Sequence, residues 1–94
     1  MKVRYTGQAL LDLAEIHDYI AAENAEAASR VVTEIEREIQ QLKAHPRLGR
    51  PGRVEETREL VISRFPYVVA YRDQADEIQI LSVIHSVRAW PESF

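Results

Sequence analysis

Eight side chains in the second half of the sequence could move a proton, hold a phosphate or grip a partner: Arg58, Arg64, Tyr67, Tyr71, Arg72, His85, Arg88 and Trp90. Cleaving RNA without a metal requires a base for the 2′-hydroxyl, an acid for the leaving 5′-oxygen, and cations for the charge that develops on phosphorus. Histidine, tyrosine and arginine can fill those roles if neighbouring strands bring them together. The same residues have a plain structural reading. Strand tyrosines usually pack, and a histidine one step past an apolar strand is usually an edge residue. Both readings stay open at the level of residue chemistry.

Other chemistries find less support. The three histidines, His17, His45 and His85, fall on three different elements, and there is no cysteine, so no metal site is expected. No Gly-x-Ser-x-Gly or Cys–His arrangement offers a nucleophile. "GRPGR" (residues 49–53) sets glycines between arginines, but no strand precedes it and no helix follows it, so it reads as a turn and not a phosphate loop. No cofactor is called for.

The elements that must carry these residues follow from periodicity. "KVRYT" alternates as a short strand, and Thr6 is placed to cap a helix from Gly7 to Glu23 with the stripe Leu10, Leu13, Ile16 and Ile20. Asn24 is a second cap, with Glu26 in the first turn for the helix dipole. The second stripe is Ala28, Val31, Val32, Ile35, Ile39 and Leu42, and it ends near Ala44. Arg30, Glu34, Arg37, Glu38 and Gln41 form the opposite, solvated face. Pro46, Gly49, Pro51 and Gly52 then hold a loop open.

Beyond the loop the period changes to two. "TRELVISRF" sets Leu60 and Ile62 against Glu59 and Val61, and "PYVVAYRD" sets Tyr67, Val69 and Tyr71 against Val68, Ala70 and Arg72. "EIQILSVIH" sets Ile78, Ile80, Ser82 and Ile84 against Gln79, Leu81, Val83 and His85. Short links make these strands an antiparallel meander. The expected class is α+β, in the order β-α-α-β-β-β: a helical hairpin on a twisted antiparallel sheet, with the other sheet face at least partly free.

Composition sets the outer bounds. A chain of 94 residues, 46% hydrophobic and 29% charged, reads as one soluble domain, residues 1–94. No apolar run approaches the ~20 residues of a membrane span, and "MKVRYTGQ" is not a signal peptide, so no membrane role and a cytoplasmic location are expected. The net charge of −3 argues against nucleic acid as the main partner. Every cation after Lys43 is an arginine, and residues 47–72 hold six arginines against three carboxylates. Arginine is the better fork for phosphate or for a partner's carboxylates.

Taken in order, "PRLGRPGR", "TRELVI", "PYVVAYR" and "ILSVIHSVRAWP" resemble the RelE/ParE superfamily of bacterial type II toxins, and "ALLDLAEIHDYIAAENAEAA" resembles its first helix and helical link. The resemblance spans nearly the whole chain. It implies a toxin of the plasmid-stabilisation type, neutralised by a cognate antitoxin that wraps it and contacts operator DNA. Members of the superfamily either cut mRNA in the ribosome or poison DNA gyrase. In the nucleases a basic residue often follows the tyrosine that opens the middle strand, whereas here Val68 follows Tyr67. Glu59 and Val61 stand where lysines are expected, and the "HSVR" spacing of His85 and Arg88 resembles ParE-like strand ends.

The resemblance therefore leans towards growth inhibition through gyrase, with an mRNA endoribonuclease as the alternative. In the alternative, His85, Tyr71 and Arg88 would be catalytic. In either case Arg58, Arg64, Arg72, Arg88 and Trp90 are the residues expected to bind target or phosphate. A module without toxicity is the third reading. Trp90 is expected to fold back on the sheet, because a tryptophan is rarely left fully exposed.

Overall fold

Val3 and Tyr5 alternate with Lys2 and Arg4 in β1 (Lys2–Tyr5), and the apolar pair packs against the core. The computed structural model describes residues 1–87 and 90–94. Thr6 ends the strand and starts α1 (Gly7–Ala21): its hydroxyl accepts the Ala9 N–H at 3.2 Å and its own N–H donates to the Ile80 carbonyl at 3.0 Å. Asn24 caps α2 (Ala25–Gln40) by accepting the Ala27 N–H at 3.0 Å. These side chains satisfy amides that a helix start otherwise leaves without partners. A single 3-10 turn, Gln41–Lys43, follows before the chain breaks towards Pro46.

The helical stripes are close to the expected ones, with two corrections. On α1 the buried positions are Ala9 and Leu13, with Ile16 and Ile20 half-buried, while Leu10 is 56% exposed. The helix approaches the sheet through the small side chain of Ala9, and the next residue, about 100° around the axis, is turned out. On α2 the inward set is Ala28, Val31, Ile35 and Ile39, but Glu38, expected on the solvated face, is buried. Its carboxylate accepts both the Ser63 N–H and the Ser63 hydroxyl at 3.2 Å, which satisfies a charge that could not otherwise leave water.

The remaining strands are β2 (Arg50–Pro51), β3 (Arg58–Val61), β4 (Tyr67–Asp73) and β5 (Glu77–His85), and the sheet order is β1-β5-β4-β3-β2. The three long strands form the expected antiparallel meander. The sheet is nevertheless mixed, because β1 runs parallel to β5, from Lys2 opposite Glu77 to Tyr5 opposite Ile80. Alternation in a sequence says which faces a strand has and nothing about which neighbour it takes. Part of the expected loop also pairs: Arg50 lies opposite Glu59 and Pro51 opposite Arg58. Proline is tolerated there because β2 is an edge strand.

One irregularity re-phases β5. Ala70 pairs with Ser82 and Tyr71 with Ile80, which leaves Leu81 as an extra residue in a β-bulge. Strict alternation would put Ile80 and Ile84 on one face, but the bulge shifts the parity. Ile78, Ile80 and Val83 all join Leu60, Val69 and Tyr71 in the core beneath the helices, whereas Ile84 and Ser82 oppose Val68 and Ala70 on the second face. Asp12 of α1 secures the bulge, accepting the Ser82 hydroxyl and, at 2.9 Å, the Val83 N–H.

On the second face, expected to be at least partly free, Val61 is 50% exposed but other positions are covered. Val68, Ala70 and Ile84 are buried there, outside the main core. Near it, Pro91, Ser93 and Phe94 line a hollow with Leu81, Ser82, Thr6 and Gln8. Among the described residues no helix is long and apolar enough to cross a membrane.

Candidate functional site

His85 closes β5 opposite Tyr67, the first residue of β4, and the two rings meet edge to face with centroids 5.4 Å apart. The chain then turns away, held by a 2.8 Å bond from the Ser86 N–H to the Pro66 carbonyl. The Val87 N–H donates to His85 Nδ1 at 3.3 Å, so in a neutral ring the proton sits on Nε2. Glu15, Ile16 and Tyr19 of α1 complete a notch of about 230 Å³ with Tyr67, His85 and Val87. Its lips, Tyr19 and Val87, are 75% and 83% exposed. An imidazole between an aromatic ring, an apolar lip and a carboxylate suits contact with a protein surface better than capture of a phosphate. Arg88 lies outside the described residues.

Tyr71 is not part of this notch. It lies four residues along β4 from Tyr67, roughly 13 Å at the strand rise, and is fully buried. Its hydroxyl donates to the Pro46 carbonyl and accepts the Gly49 N–H, both at 2.8 Å. Burial pushes the phenol pKa up, against the opposing pull of the Gly49 N–H and the Arg58 charge, so the ring stays protonated at neutral pH. Arg58 joins the same clasp through a 2.7 Å bond from Nη1 to the Gly49 carbonyl. Arg72, half-buried, stands at this end of the sheet opposite Gln79. Arg64 lies towards the His85 end but lines a separate depression with Arg30. The expected site residues thus divide between the two ends of the sheet.

Glu59 is the residue whose role periodicity misses. It is 2% exposed, faces away from the helices, and its carboxylate accepts Arg50 Nε and Nη2 at 3.1 and 2.9 Å and the Arg53 N–H at 2.7 Å. Arg53 in turn lies over the Trp90 ring, 4.0 Å from its centroid. Trp90, expected to fold back on the sheet, meets this arginine of the loop after β2, with its indole N–H buried and without a hydrogen-bond partner among the described residues. A signal for Glu59 does exist in the sequence. A carboxylate inside an otherwise apolar strand, nine residues from one arginine and six from another, has to be paired if it is buried. Nothing in the sequence marks Glu15 or Tyr19, whose place beside His85 depends on how α1 packs.

A helical hairpin laid on a five-stranded mixed sheet, with a histidine at the strand exit and a clasped arginine-rich loop, defines the class: a toxin of the RelE/ParE superfamily. The family model described as the ParE toxin of the type II toxin-antitoxin system parDE matches residues 3–90, and the chain belongs to that family. It is 42% identical over 91 residues to a protein named "Putative toxin Y4kP" of Sinorhizobium fredii (strain NBRC 101917 / NGR234), a match covering 97% of this chain and 94% of that one. It is also similar to a solved structure titled as the chromosomal ParDE TA system from P. aeruginosa. That match has a TM-score of 0.81 and 32% identity, and covers 90% of this chain and 95% of the other.

Proposed function

We propose that this ParE-family toxin stops growth by binding DNA gyrase on its cleaved DNA, in the cytoplasm, and that a cognate antitoxin encoded beside it neutralises it. One observation carries the choice of target: Tyr71 and Arg58, which could serve a ribosome-dependent nuclease, are tied into the loop clasp at the far end of the sheet from His85. Glu59 and Val68, 2% and 3% exposed, fill sheet positions where a nuclease would present cations. The Tyr71 hydroxyl is used twice in the loop clasp, and no described cation lines the notch of His85. What His85 and its neighbours do offer is a contact surface of exposed aromatic and apolar side chains, suited to a protein target.

The test is a supercoiling assay with gyrase from the chain's own host. The purified chain is expected to block supercoiling and to raise the fraction of cleaved DNA, and the antitoxin is expected to reverse both effects. Gyrase activity unchanged by the chain would sink the proposal. Ribosomal A-site cuts, seen by primer extension on translated mRNA and lost in His85→Ala, would replace it with mRNA cleavage.

A further inference from the structure

A second cluster lies where the first turns of α2 face the turn between β3 and β4. Ser29, Arg30, Thr33 and Glu34 of α2, with Arg64 and Phe65 of the turn, line an open depression of about 610 Å³. Neither arginine and neither hydroxyl is hydrogen-bonded or ion-paired to any described residue. Glu34, the one carboxylate in the lining, is already engaged: Arg37 grips it with two bonds of 3.0 and 2.7 Å. The depression therefore presents two guanidinium groups without hydrogen bonds to described residues, Arg64 also acting on Glu34 through its charge, and two hydroxyl donors, with the half-buried Phe65 ring at its side. The chain as a whole is acidic, at −3, so this is a local reversal of sign.

We propose that this depression holds a phosphodiester of a nucleic-acid backbone. A phosphodiester brings one negative charge and two non-bridging oxygens, which arginine forks and hydroxyls satisfy together. A sugar or base beside it would pack against Phe65. The proposal deepens the gyrase reading and rests on it for the identity of the nucleic acid, the DNA held in the gyrase complex. The acidic chain does not draw DNA over long range, so the contact serves once the protein target has brought the two together.

The test titrates the ¹⁵N-labelled full chain with a short DNA duplex, and in parallel with inorganic phosphate and a glutamate-rich peptide. With the duplex, signals of Ser29, Arg30, Thr33 and Arg64 are expected to move. Arg30→Ala/Arg64→Ala is expected to weaken binding at least about tenfold and to make the salt dependence shallower by about one unit of slope. Lys43→Ala removes one positive charge from a residue outside the depression and is expected to leave both unchanged. Because Arg30 and Arg64 are exposed, the double variant is expected to keep its thermal melt.

Duplex-induced shifts confined to other residues, or an equal loss in Lys43→Ala, would overturn the proposal. So would movement of these signals by the peptide and not the duplex, which would assign the depression to an acidic protein segment, or by inorganic phosphate alone. If gyrase is inhibited but the duplex does not bind, only this proposal fails. If the duplex binds at these residues but gyrase is untouched, the site stands and the gyrase reading fails.

Discussion

Replacing Tyr71 by Phe deletes one hydroxyl and leaves two backbone groups, the Gly49 N–H and the Pro46 carbonyl, without their partner. A buried group left unsatisfied costs about 1–3 kcal/mol, so Tyr71→Phe should lower stability by that order in a urea titration. If Tyr71 acted on RNA instead, the variant would keep its stability and lose activity. The contrast at this scale is between residue type and residue commitment. Tyr71 and Arg58 have the types a nuclease uses, but their donors and acceptors are tied to the loop around Gly49. Which of two tyrosines on one strand meets a histidine was readable from the pairing of Tyr67 with His85 only once the register was known.

Two elements depend on carboxylates that alternation or amphipathicity would place on a solvated surface. Asp12 joins α1 to the bulge of β5, so Asp12→Ala leaves the Val83 N–H unpaired and should speed hydrogen exchange at Val83 selectively, with a stability loss of about 1–3 kcal/mol. On α2, the bonds from Arg37, and next the neighbouring Glu38, lower the Glu34 pKa from 4.5 to about 2. A lowered folded pKa means the unfolded chain binds the proton more readily. The contribution of this pair is therefore complete above pH 4.5 and fades as pH falls towards 2. Stability of Glu34→Gln measured across that window should fall less steeply with acid than that of the parent chain. The helices themselves were readable, from caps at Thr6 and Asn24 and from the stripes, because both signals are local.

At the scale of the whole molecule, the C-terminal residues meet the loop after β2 where the Arg53 guanidinium lies over Trp90. Trp90 is the sole tryptophan, so tryptophan fluorescence reports the surroundings of this ring. Arg53→Ala should shift the emission to longer wavelength as water reaches the ring, at a cost of about 0.5–2 kcal/mol. Emission unchanged in the variant would mean that Arg53 does not shield the indole. The same overall arrangement puts the His85 notch and the Arg30–Arg64 depression at the end of the sheet where β3 turns into β4, away from the clasped loop at the other end. A target that engages both would be held by one end of the molecule.

Local chemistry determined the two capped helices, the three-strand meander, the inward residues of β3 and β4 and the sign of the second half of the chain. Each of these depends on neighbours within a few positions. The parallel seat of β1 beside β5 depends on contacts about 75 residues apart, and so does the Asp12 anchor. The faces of Ile80 and Val83 depend on a single extra residue, Leu81, and a bulge leaves no mark in an apolar run because both parities read as hydrophobic. Tertiary packing alone decided that Glu38 is buried and paired and that Tyr71 is a clasp. It also brought Arg30 and Arg64 to one depression, because charges find partners through space and not along the chain.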